Sequence, residues 1–295
     1  MKNIIVNGAM GMMASLLLFA CGGQAKQKKE NEMDAEGAKV ESRVVQHNND
    51  SMTATVVLDG VNVTWIRDNA NEHLMPCSLF PDADDALIDS LSLQEGIPAS
   101  VSMFLVECEG KRILFDTGMG SPESKLLRGL ESLNVKPEDI DYLFITHFHG
   151  DHIGGMMRND SVVFPNAEVY ASKIEYDAWM GMPADKRGQV EKTMNAYNDR
   201  LHLFAFGDTL PCGVVAMKAV GHTPGHTVFQ LGKLLVVGDL MHGAELQMKY
   251  PEICAKYDMD KKNAVETRKY FLNYAVENGM VVAGMHLPVP AFMYF

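Results

Sequence analysis

Side chains able to bind metal ions are concentrated in one short segment, residues 146–155, which reads Thr-His-Phe-His-Gly-Asp-His-Ile-Gly-Gly. Its candidate ligands are His147, His149, Asp151 and His152, so three of the chain's ten histidines lie within six positions. In an extended chain, side chains two positions apart point the same way, and His147 and His149 can therefore reach one ion. Asp151 and His152 follow where the backbone turns, and can face a second ion. The absence of thiolates from the segment disfavours a structural zinc or iron–sulfur site.

Four further motifs follow apolar stretches elsewhere in the chain. They are Asp116-Thr117-Gly118, residues 221–226 (Gly-His-Thr-Pro-Gly-His), Gly238-Asp239 and His286. Together with His-x-His-x-Asp-His at residues 147–152, they resemble in type and order the signature of the metallo-β-lactamase superfamily. The resemblance extends from Val56 to Pro290. It implies an α+β four-layer αββα sandwich, in which two mixed sheets pack face to face with helices outside.

The resemblance also implies a centre of two divalent metal ions, with zinc favoured over manganese or iron(II). The first ion would be bound by three histidines, the second by an aspartate and two histidines, and a further aspartate would bridge the two ions. In that order, the residues are His147, His149 and His226; Asp151, His152 and His286; and Asp239. The reaction implied is hydrolysis by a metal-bridging hydroxide, in which Asp239 holds both ions and Asp151 passes a proton to the leaving group.

Three polar residues are expected to support these ligands. Of the two histidines in residues 221–226, the second matches the family's ligand, so His222 is expected to lie behind the ligands or to be structural. Asp116 is expected to orient a ligand such as His147 rather than to bind metal. His242, three positions after Asp239, is expected to contact a ligand or the substrate. Other residues in segments that could rim the pocket are Phe80, Trp179, Met180, Tyr197 and Met241.

The substrate class follows from the branch of the superfamily. Residues 239–242 (Asp-Leu-Met-His) and 257–260 (Tyr-Asp-Met-Asp), with Thr267-Arg268 and residues 286–288, resemble most the branch of methyl parathion hydrolase and the related lactonases. The resemblance implies a small-molecule ester, lactone or phosphotriester as substrate. A β-lactamase or a thioesterase of the same fold is the alternative. A zinc-binding lipoprotein without catalytic activity is a further alternative from a different class.

Apolar strands are predicted directly before the histidine motif and before Asp239 and His286. Alternating or continuous apolar runs predict strands at residues 55–58, 61–66, 100–107, 112–115, 142–145, 168–171, 214–220, 227–231, 234–237 and 280–283. Helices are predicted at residues 122–133, 172–180, 188–200 and 260–278. Strands followed by helices, twice over, favour two sheets packed face to face with helices outside.

The first residues predict export. Lys2 precedes an apolar stretch at residues 4–20, and Leu18-Phe19-Ala20-Cys21 resembles the bacterial lipobox, in which the cysteine becomes the lipid-modified first residue. Residues 1–21 are therefore predicted to be a lipoprotein signal peptide, residues 22–53 a polar, flexible tether, and residues 54–295 the hydrolase domain. The protein would be anchored to a membrane through Cys21, in the periplasm or at the cell surface. An ordinary signal peptide with a chance cysteine is the alternative.

The overall composition restricts the partners. A formal net charge of −12 argues against binding to nucleic acid, because neutralising phosphates requires clustered Lys and Arg. The four remaining cysteines, at positions 77, 108, 212 and 254, are widely separated, and we expect none to bind metal. Whether they pair as disulfides, and whether the chain forms a homodimer, is left open by the sequence.

Overall fold

Two mixed β-sheets form the centre of the fold. The structure, a computed structural model, describes residues 52–71 and 73–295 together with the backbone of residues 43–47. The strands of this part of the chain are, in order, β1 (Arg43–His47), β2 (Thr53–Leu58), β3 (Val61–Arg67), β4 (His73–Met75), β5 (Ile97–Ala99), β6 (Ser102–Cys108), β7 (Lys111–Phe115), β8 (Tyr142–Phe144), β9 (Met157–Arg158), β10 (Ser161–Val162), β11 (Glu168–Ser172), β12 (Leu201–Phe204), β13 (Val215–Lys218), β14 (Thr227–Leu231), β15 (Leu234–Val236), β16 (Val281–Ala283) and β17 (Phe292–Tyr294).

Each large sheet contains both parallel and antiparallel pairs. The first sheet has the spatial order β1-β2-β3-β6-β7-β8-β11-β12, and its strands pair antiparallel as far as β7 and parallel from β7 to β12. The second sheet has the order β13-β14-β15-β16-β17, with β15 and β16 parallel. Strands β4 and β5 form a separate antiparallel pair, as do β9 and β10.

Seven α-helices lie between these strands in the described part of the chain. They are α1 (Asp85–Ser90), α2 (Leu126–Ser132), α3 (Gly150–Ile153), α4 (Lys173–Met180), α5 (Ala184–Ala196), α6 (Ala244–Gln247) and α7 (Lys261–Asn278). Helix α7 has the ends predicted for it: the Asp260 carboxylate accepts the Asn263 N–H at 3.1 Å, and Gly279 ends the helix in the left-handed conformation at φ 56°. None of the described helices is both long and apolar enough to span a bilayer.

Aromatic rings from both sheets meet in the core between them. The ring of Phe229 on β14 has its centroid 5.5 Å from those of Phe115 on β7 and Phe144 on β8. Phe292 on β17 lies 5.4 Å from Phe104 on β6. Burial of each phenylalanine contributes about 1.5 to 3 kcal/mol, so these contacts hold the sheets together strongly. The predicted α+β sandwich of two mixed sheets with helices is confirmed.

Several predicted boundaries were wrong. Strand β1, which pairs with β2, lies inside the segment predicted to be a tether, so the folded region begins before residue 54. The signal peptide and the rest of the tether lie outside the described residues. The helix predicted at residues 122–133 begins only at Leu126, because the turn before it is bound by the buried Asp68 carboxylate, which accepts the Lys125 N–H at 3.0 Å and the Ser124 hydroxyl at 2.9 Å.

Candidate metal centre

Loops that follow parallel strands bring the candidate ligands to one edge of the sandwich. Strands β7 and β8 are parallel, so Asp116 after β7 lies beside residues 145–152 after β8. Strands β15 and β16 are also parallel, which places Asp239 beside His286. The connection between β13 and β14 supplies residues 221–226 from the second sheet. Both sheets therefore contribute to one site.

The first ligand group consists of His147, His149, His222 and Asp239, whose ligand atoms all lie within 4.8 Å of one another. His149 Nδ1 lies 3.0 Å from His147 Nε2 and 2.9 Å from His222 Nε2. His147 Nε2 and His222 Nε2 are 3.2 Å apart. Three nitrogens bound tetrahedrally to one zinc ion at about 2.0 to 2.1 Å would be about 3.3 Å apart, so these separations fit a metal ion.

The second ligand group consists of Asp151, His152 and His286. Asp151 Oδ2 lies 3.3 Å from His286 Nε2 and 3.7 Å from His152 Nε2. Asp239 lies between the groups: its Oδ1 is 3.0 Å from His152 Nε2, and its Oδ2 is 3.2 Å from His222 Nε2. His152 Nε2 and Asp239 Oδ1 are buried without a hydrogen-bond partner among the described residues. Bound cations would satisfy both atoms, so the residues present fit two metal ions.

The structure reverses the roles predicted for the two histidines of residues 221–226. His226 Nδ1–H donates to the Ala219 carbonyl at 2.9 Å, and His226 Nε2 accepts the Asp239 N–H at 3.0 Å. Neither nitrogen has a lone pair left for a metal ion, so His226 positions the backbone of Asp239. His222 occupies the place expected of the ligand. The candidate first ligand set is therefore His147, His149 and His222 rather than the predicted set with His226.

Hydrogen bonds behind the ligands fix which nitrogen of each ring faces the centre. His222 Nδ1 lies 3.0 Å from Asp258 Oδ1, and His286 Nδ1 lies 2.9 Å from the Ser100 carbonyl. Each Nδ1–H therefore donates outward and leaves Nε2 free for metal. Asp258 is itself paired with the buried Arg268 at 3.1 Å. Asp258 and Arg268 belong to the motifs after Asp239 noted in the sequence, but the pairing with His222 was not foreseen.

Asp116 supports two ligand histidines, one directly and one through a threonine. Its Oδ2 accepts His152 Nδ1–H at 2.7 Å and the Thr146 hydroxyl, also at 2.7 Å. Thr146 Oγ1 lies 3.1 Å from His147 Nδ1, so the hydroxyl links His147 to the same carboxylate. The sequence predicted that Asp116 orients a ligand such as His147, and the ligand histidine that it contacts directly is His152.

The two glycines that end the histidine motif allow the loop after Asp116 to pack closely against that motif. A Cβ atom on Gly155 would lie 2.0 Å from the carbonyl oxygen of Thr117, and one on Gly154 would lie 2.1 Å from that of Met119. Any larger residue would therefore push the two loops apart. The Gly-Gly that follows the ligands thus has a packing role.

His242 lies beside the centre. Its Nε2 is 3.0 Å from Asp239 Oδ2, and its ring is stacked on His286 with centroids 5.1 Å apart and planes 19° apart. Neither of its ring nitrogens has a hydrogen-bond partner by geometry among the described residues. His242 can therefore hydrogen-bond to a bound molecule or support Asp239.

The histidines of the centre differ in the direction of their pKa shifts. Burial lowers the pKa of His149 to about 3, and burial with the neighbouring His152 lowers the pKa of His147 well below its usual value. Both rings are therefore neutral near pH 7 and offer lone pairs to a metal. Burial would also lower the pKa of His286, but Asp239 and Asp151 raise it to about 10. The carboxylates thus attract positive charge, which metal ions would supply in place of protons.

A cavity of about 790 Å³ opens over the centre, within the range of small-molecule sites. Asp151, Asp239, His149, His242 and His286 are among the residues that line it. The wall also includes Tyr257 from the motif at residues 257–260 and residues that the sequence did not single out, among them Asp68, Asn69, His73, Met75, Val101, Met119, Glu123 and Gln189. Lysine and arginine are absent from the described lining residues.

Most of the other rim residues suggested by the sequence belong to the core. Phe80 and Tyr197 are fully buried, and the Tyr197 hydroxyl donates to the Met156 carbonyl at 2.9 Å. Met241 is 1% exposed and does not line the cavity. Trp179 packs edge-on against His149, with centroids 5.8 Å apart. The apolar character that suggested a place at the pocket rim is explained by the burial of these side chains in the core.

Comparison with known proteins identifies the family. The model of the metallo-β-lactamase superfamily matches residues 96–266. The chain therefore belongs to the metallo-β-lactamase superfamily, as its motifs predicted.

Individual relatives of known name include a probable metallo-hydrolase, an exodeoxyribonuclease, ribonuclease Z, a hydroxyacylglutathione hydrolase and N-acyl homoserine lactonases. A probable metallo-hydrolase of Methanocaldococcus jannaschii is 29% identical over 160 residues, 53% of this chain, and the chain spans only 64% of that relative's length. Among solved structures, the hydrolase AbOPH of the beta lactamase superfamily has a TM-score of 0.72 and 30% identity, covering 81% of this chain and 91% of its own. AidC, a dizinc quorum-quenching lactonase in complex with the product N-hexanoyl-L-homoserine, has a TM-score of 0.76 and 26% identity, covering 83% and 94%.

Proposed function

We propose that this protein is a binuclear metal-dependent hydrolase of uncharged esters, lactones or phosphotriesters, with zinc as the favoured metal. The observation that carries the proposal is the position of Asp239, whose carboxylate lies 3.2 Å from His222 of the first ligand group and 3.0 and 3.3 Å from His152 and His286 of the second, beneath the cavity. The dizinc lactonase and the hydrolase among the structural neighbours support it, because both share the fold at 26% and 30% identity.

The metal ions and Asp151 would have different roles in the hydrolysis. Two divalent ions, when bound, would lower the pKa of a coordinated water to about 7 and polarise the oxygen of the bond to be cleaved. Asp151 is 27% exposed and borders the cavity, so it can receive a proton and pass it to a leaving group. Burial would raise the pKa of Asp151, but His152 and His286 lower it below its usual range, which keeps the carboxylate ionised.

The cavity wall favours an uncharged substrate. It includes the carboxylates of Asp68 and Glu123 and no lysine or arginine among the described residues. A phosphodiester or a carboxylate-bearing thioester brings a negative charge that such a wall would repel. Met75, Val101 and Met119 offer apolar area for an acyl or alkyl group. Neutral esters, lactones and phosphotriesters fit this environment.

The test is a comparison of kcat/KM across a substrate panel with metal-loaded protein, using the chelated protein as control. The panel contains a lactone series of increasing acyl length, an aryl ester, a phosphotriester, a phosphodiester, a β-lactam and a glutathione thioester. We expect a neutral ester, lactone or phosphotriester to exceed every charged substrate and the β-lactam by at least about tenfold, because the centre stabilises one developing negative charge. A phosphodiester, β-lactam or thioester ahead by that margin would overturn the proposed substrate class.

We also propose that the protein is an exported lipoprotein held to a membrane through Cys21, on the strength of Leu18-Phe19-Ala20-Cys21. Wild-type protein produced in a bacterium that lipidates such proteins should incorporate labelled fatty acid and sediment with membranes. Cys21→Ser should do neither, since the acceptor sulfur is gone, whereas Cys77→Ser should behave as wild type. Absence of label from the wild type would exclude the anchor.

A further inference from the structure

A buried carboxylate that belongs to neither ligand group connects the two loops that carry the histidines of the first group. We infer that Glu175, on α4, is a positioning residue that sets the distance between residues 145–149 and residues 221–226. Glu175 is 1% exposed and belongs to neither ligand group. The inference rests on the proposed metal centre, because it concerns how that centre is held together.

One carboxylate oxygen of Glu175 accepts hydrogen bonds beside the ligands that follow strand β8 of the first sheet. Glu175 Oε1 accepts the Phe148 N–H at 3.0 Å, and Phe148 is the residue between His147 and His149. The same oxygen accepts the Trp179 indole N–H at 2.7 Å. Trp179 in turn packs edge-on against His149, with the ring planes at 89°. The carboxylate thus fixes both the backbone between two ligands and the ring beside one of them.

The other oxygen is bound to the loop from the second sheet. Glu175 Oε2 accepts the Thr223 hydroxyl at 2.8 Å and the Gly225 N–H at 2.7 Å. Thr223 directly follows His222, the third histidine of the first group. A Cβ atom on Gly225 would lie 2.2 Å from the backbone nitrogen of Glu175, so only glycine permits this approach. The loop is therefore held against α4 by its backbone as well as by the carboxylate.

The arrangement explains how residues from two sheets reach one ion. The nitrogens of His149 and His222 are 2.9 Å apart, although β8 and the β13–β14 connection belong to different sheets. Burial raises the pKa of Glu175, while its four hydrogen-bond donors oppose that rise. All four contacts come from N–H or O–H groups, which suit an ionised carboxylate. Loss of this acceptor would leave both loops with unpaired buried donors and let them separate.

Glu175→Gln is the main test, because an amide keeps the shape but offers one acceptor oxygen instead of two. Metal affinity at each site would be measured by chelator competition, and the first site would also be followed by the visible spectrum of the cobalt(II)-substituted protein. We expect first-site affinity to fall about 10- to 100-fold with a changed cobalt spectrum. Affinity at the second site, built from Asp151, His152 and His286, should change less than about threefold. A general loss of stability would not separate the sites in this way.

Two further variants complete the test. Asp177→Asn changes an exposed carboxylate of the same helix, which pairs only with Lys173 at 2.7 Å among the described ion pairs, so first-site affinity should stay within about threefold of wild type. Thr223→Val removes one bond on the His222 side at nearly constant volume and should lower first-site affinity about 3- to 10-fold. Thermal unfolding of the metal-free proteins reports whether each is folded. If Glu175→Gln does not fold, Thr223→Val decides the question.

The outcomes separate the two proposals. If wild-type protein binds two ions and the folded Glu175→Gln and Thr223→Val variants bind the first as tightly, with an unchanged cobalt spectrum, Glu175 has no positioning role. Equal weakening at both sites would also overturn the inference, since it would indicate a general structural role. If wild-type protein binds no metal, the proposed function itself fails, whatever the variants show.

Discussion

Replacement of Asp239 by alanine should lower kcat/KM on the best substrate by roughly three orders of magnitude, with the domain still folded. Among the described residues, Asp239 is the carboxylate that lies against both ligand groups, 3.0 Å from His152 and 3.2 Å from His222. Its removal would take one ligand from each ion and would remove the negative charge that offsets the repulsion between the two cations. The sheets do not depend on its side chain, so the variant should fold, although the metal-free protein should melt at a lower temperature because the ion pairs of Asp239 with His152 and His286 are lost.

The control for this variant is an exposed carboxylate that belongs to neither the ligand groups nor the cavity wall. Asp82 is exposed and pairs at 3.3 Å with Lys261, and exposed pairs contribute little to stability. Asp82→Ala should therefore keep both the wild-type rate and two bound ions. Near-native turnover by Asp239→Ala, measured with metal in excess, would exclude Asp239 as the residue shared by two ions.

The second prediction with a large effect distinguishes the roles of His222 and His226. His222→Ala should lose the first ion and lower kcat/KM by roughly two to three orders of magnitude, because one of three ligand nitrogens is removed. His226→Ala should keep both ions, with kcat/KM within about tenfold of wild type. It should instead lower the melting temperature, since the Asp239 N–H and the Ala219 carbonyl lose their partner.

The measurement for this pair is metal content after dialysis, with kcat/KM and thermal unfolding on the same samples. Each variant serves as the other's control, because both remove a buried imidazole from one loop. An ion lost from His226→Ala and retained by His222→Ala would restore the ligand assignment made from the sequence and would contradict the geometry of this loop.

The sequence predicted the fold and the position of the site because both depend on short-range patterns. Apolar strands ending in polar loops are visible at Phe144 and Val236, and parallel pairing brings such ends together. The family resemblance then supplied the order of the motifs. The predicted strands and helices agree with most of those described, and the superfamily is shown by a match to residues 96–266.

The choice between His222 and His226 could not be made from the loop alone. Each histidine directly follows a glycine in a turn. Which of the two rings faces the centre is decided by hydrogen-bond partners far along the chain. For His222 that partner is Asp258, which lies 36 positions later. The signal available in the sequence was Asp258 within the motif at residues 257–260. Only the tertiary structure places this carboxylate against His222.

The missed elements share a physical cause. Strand β1 is a five-residue edge strand whose flanking residues are polar, so composition over a wider window predicted a tether. Strands β4 and β5, of three residues each, are too short to show alternation, and they bring His73 and Met75 to the cavity wall. Glu175 was overlooked because a single glutamate in a helix is usually exposed, and its four partners come from three separate segments.

The most direct test of the account is anomalous diffraction at the zinc absorption edge from crystals of the zinc-loaded protein. The account predicts two peaks per chain, about 3.5 to 4 Å apart, with a carboxylate oxygen of Asp239 next to each. One ion should be bound by His147, His149 and His222, and the other by Asp151, His152 and His286. A single peak, or an ion bound by His226 in place of His222, would contradict the binuclear centre as described.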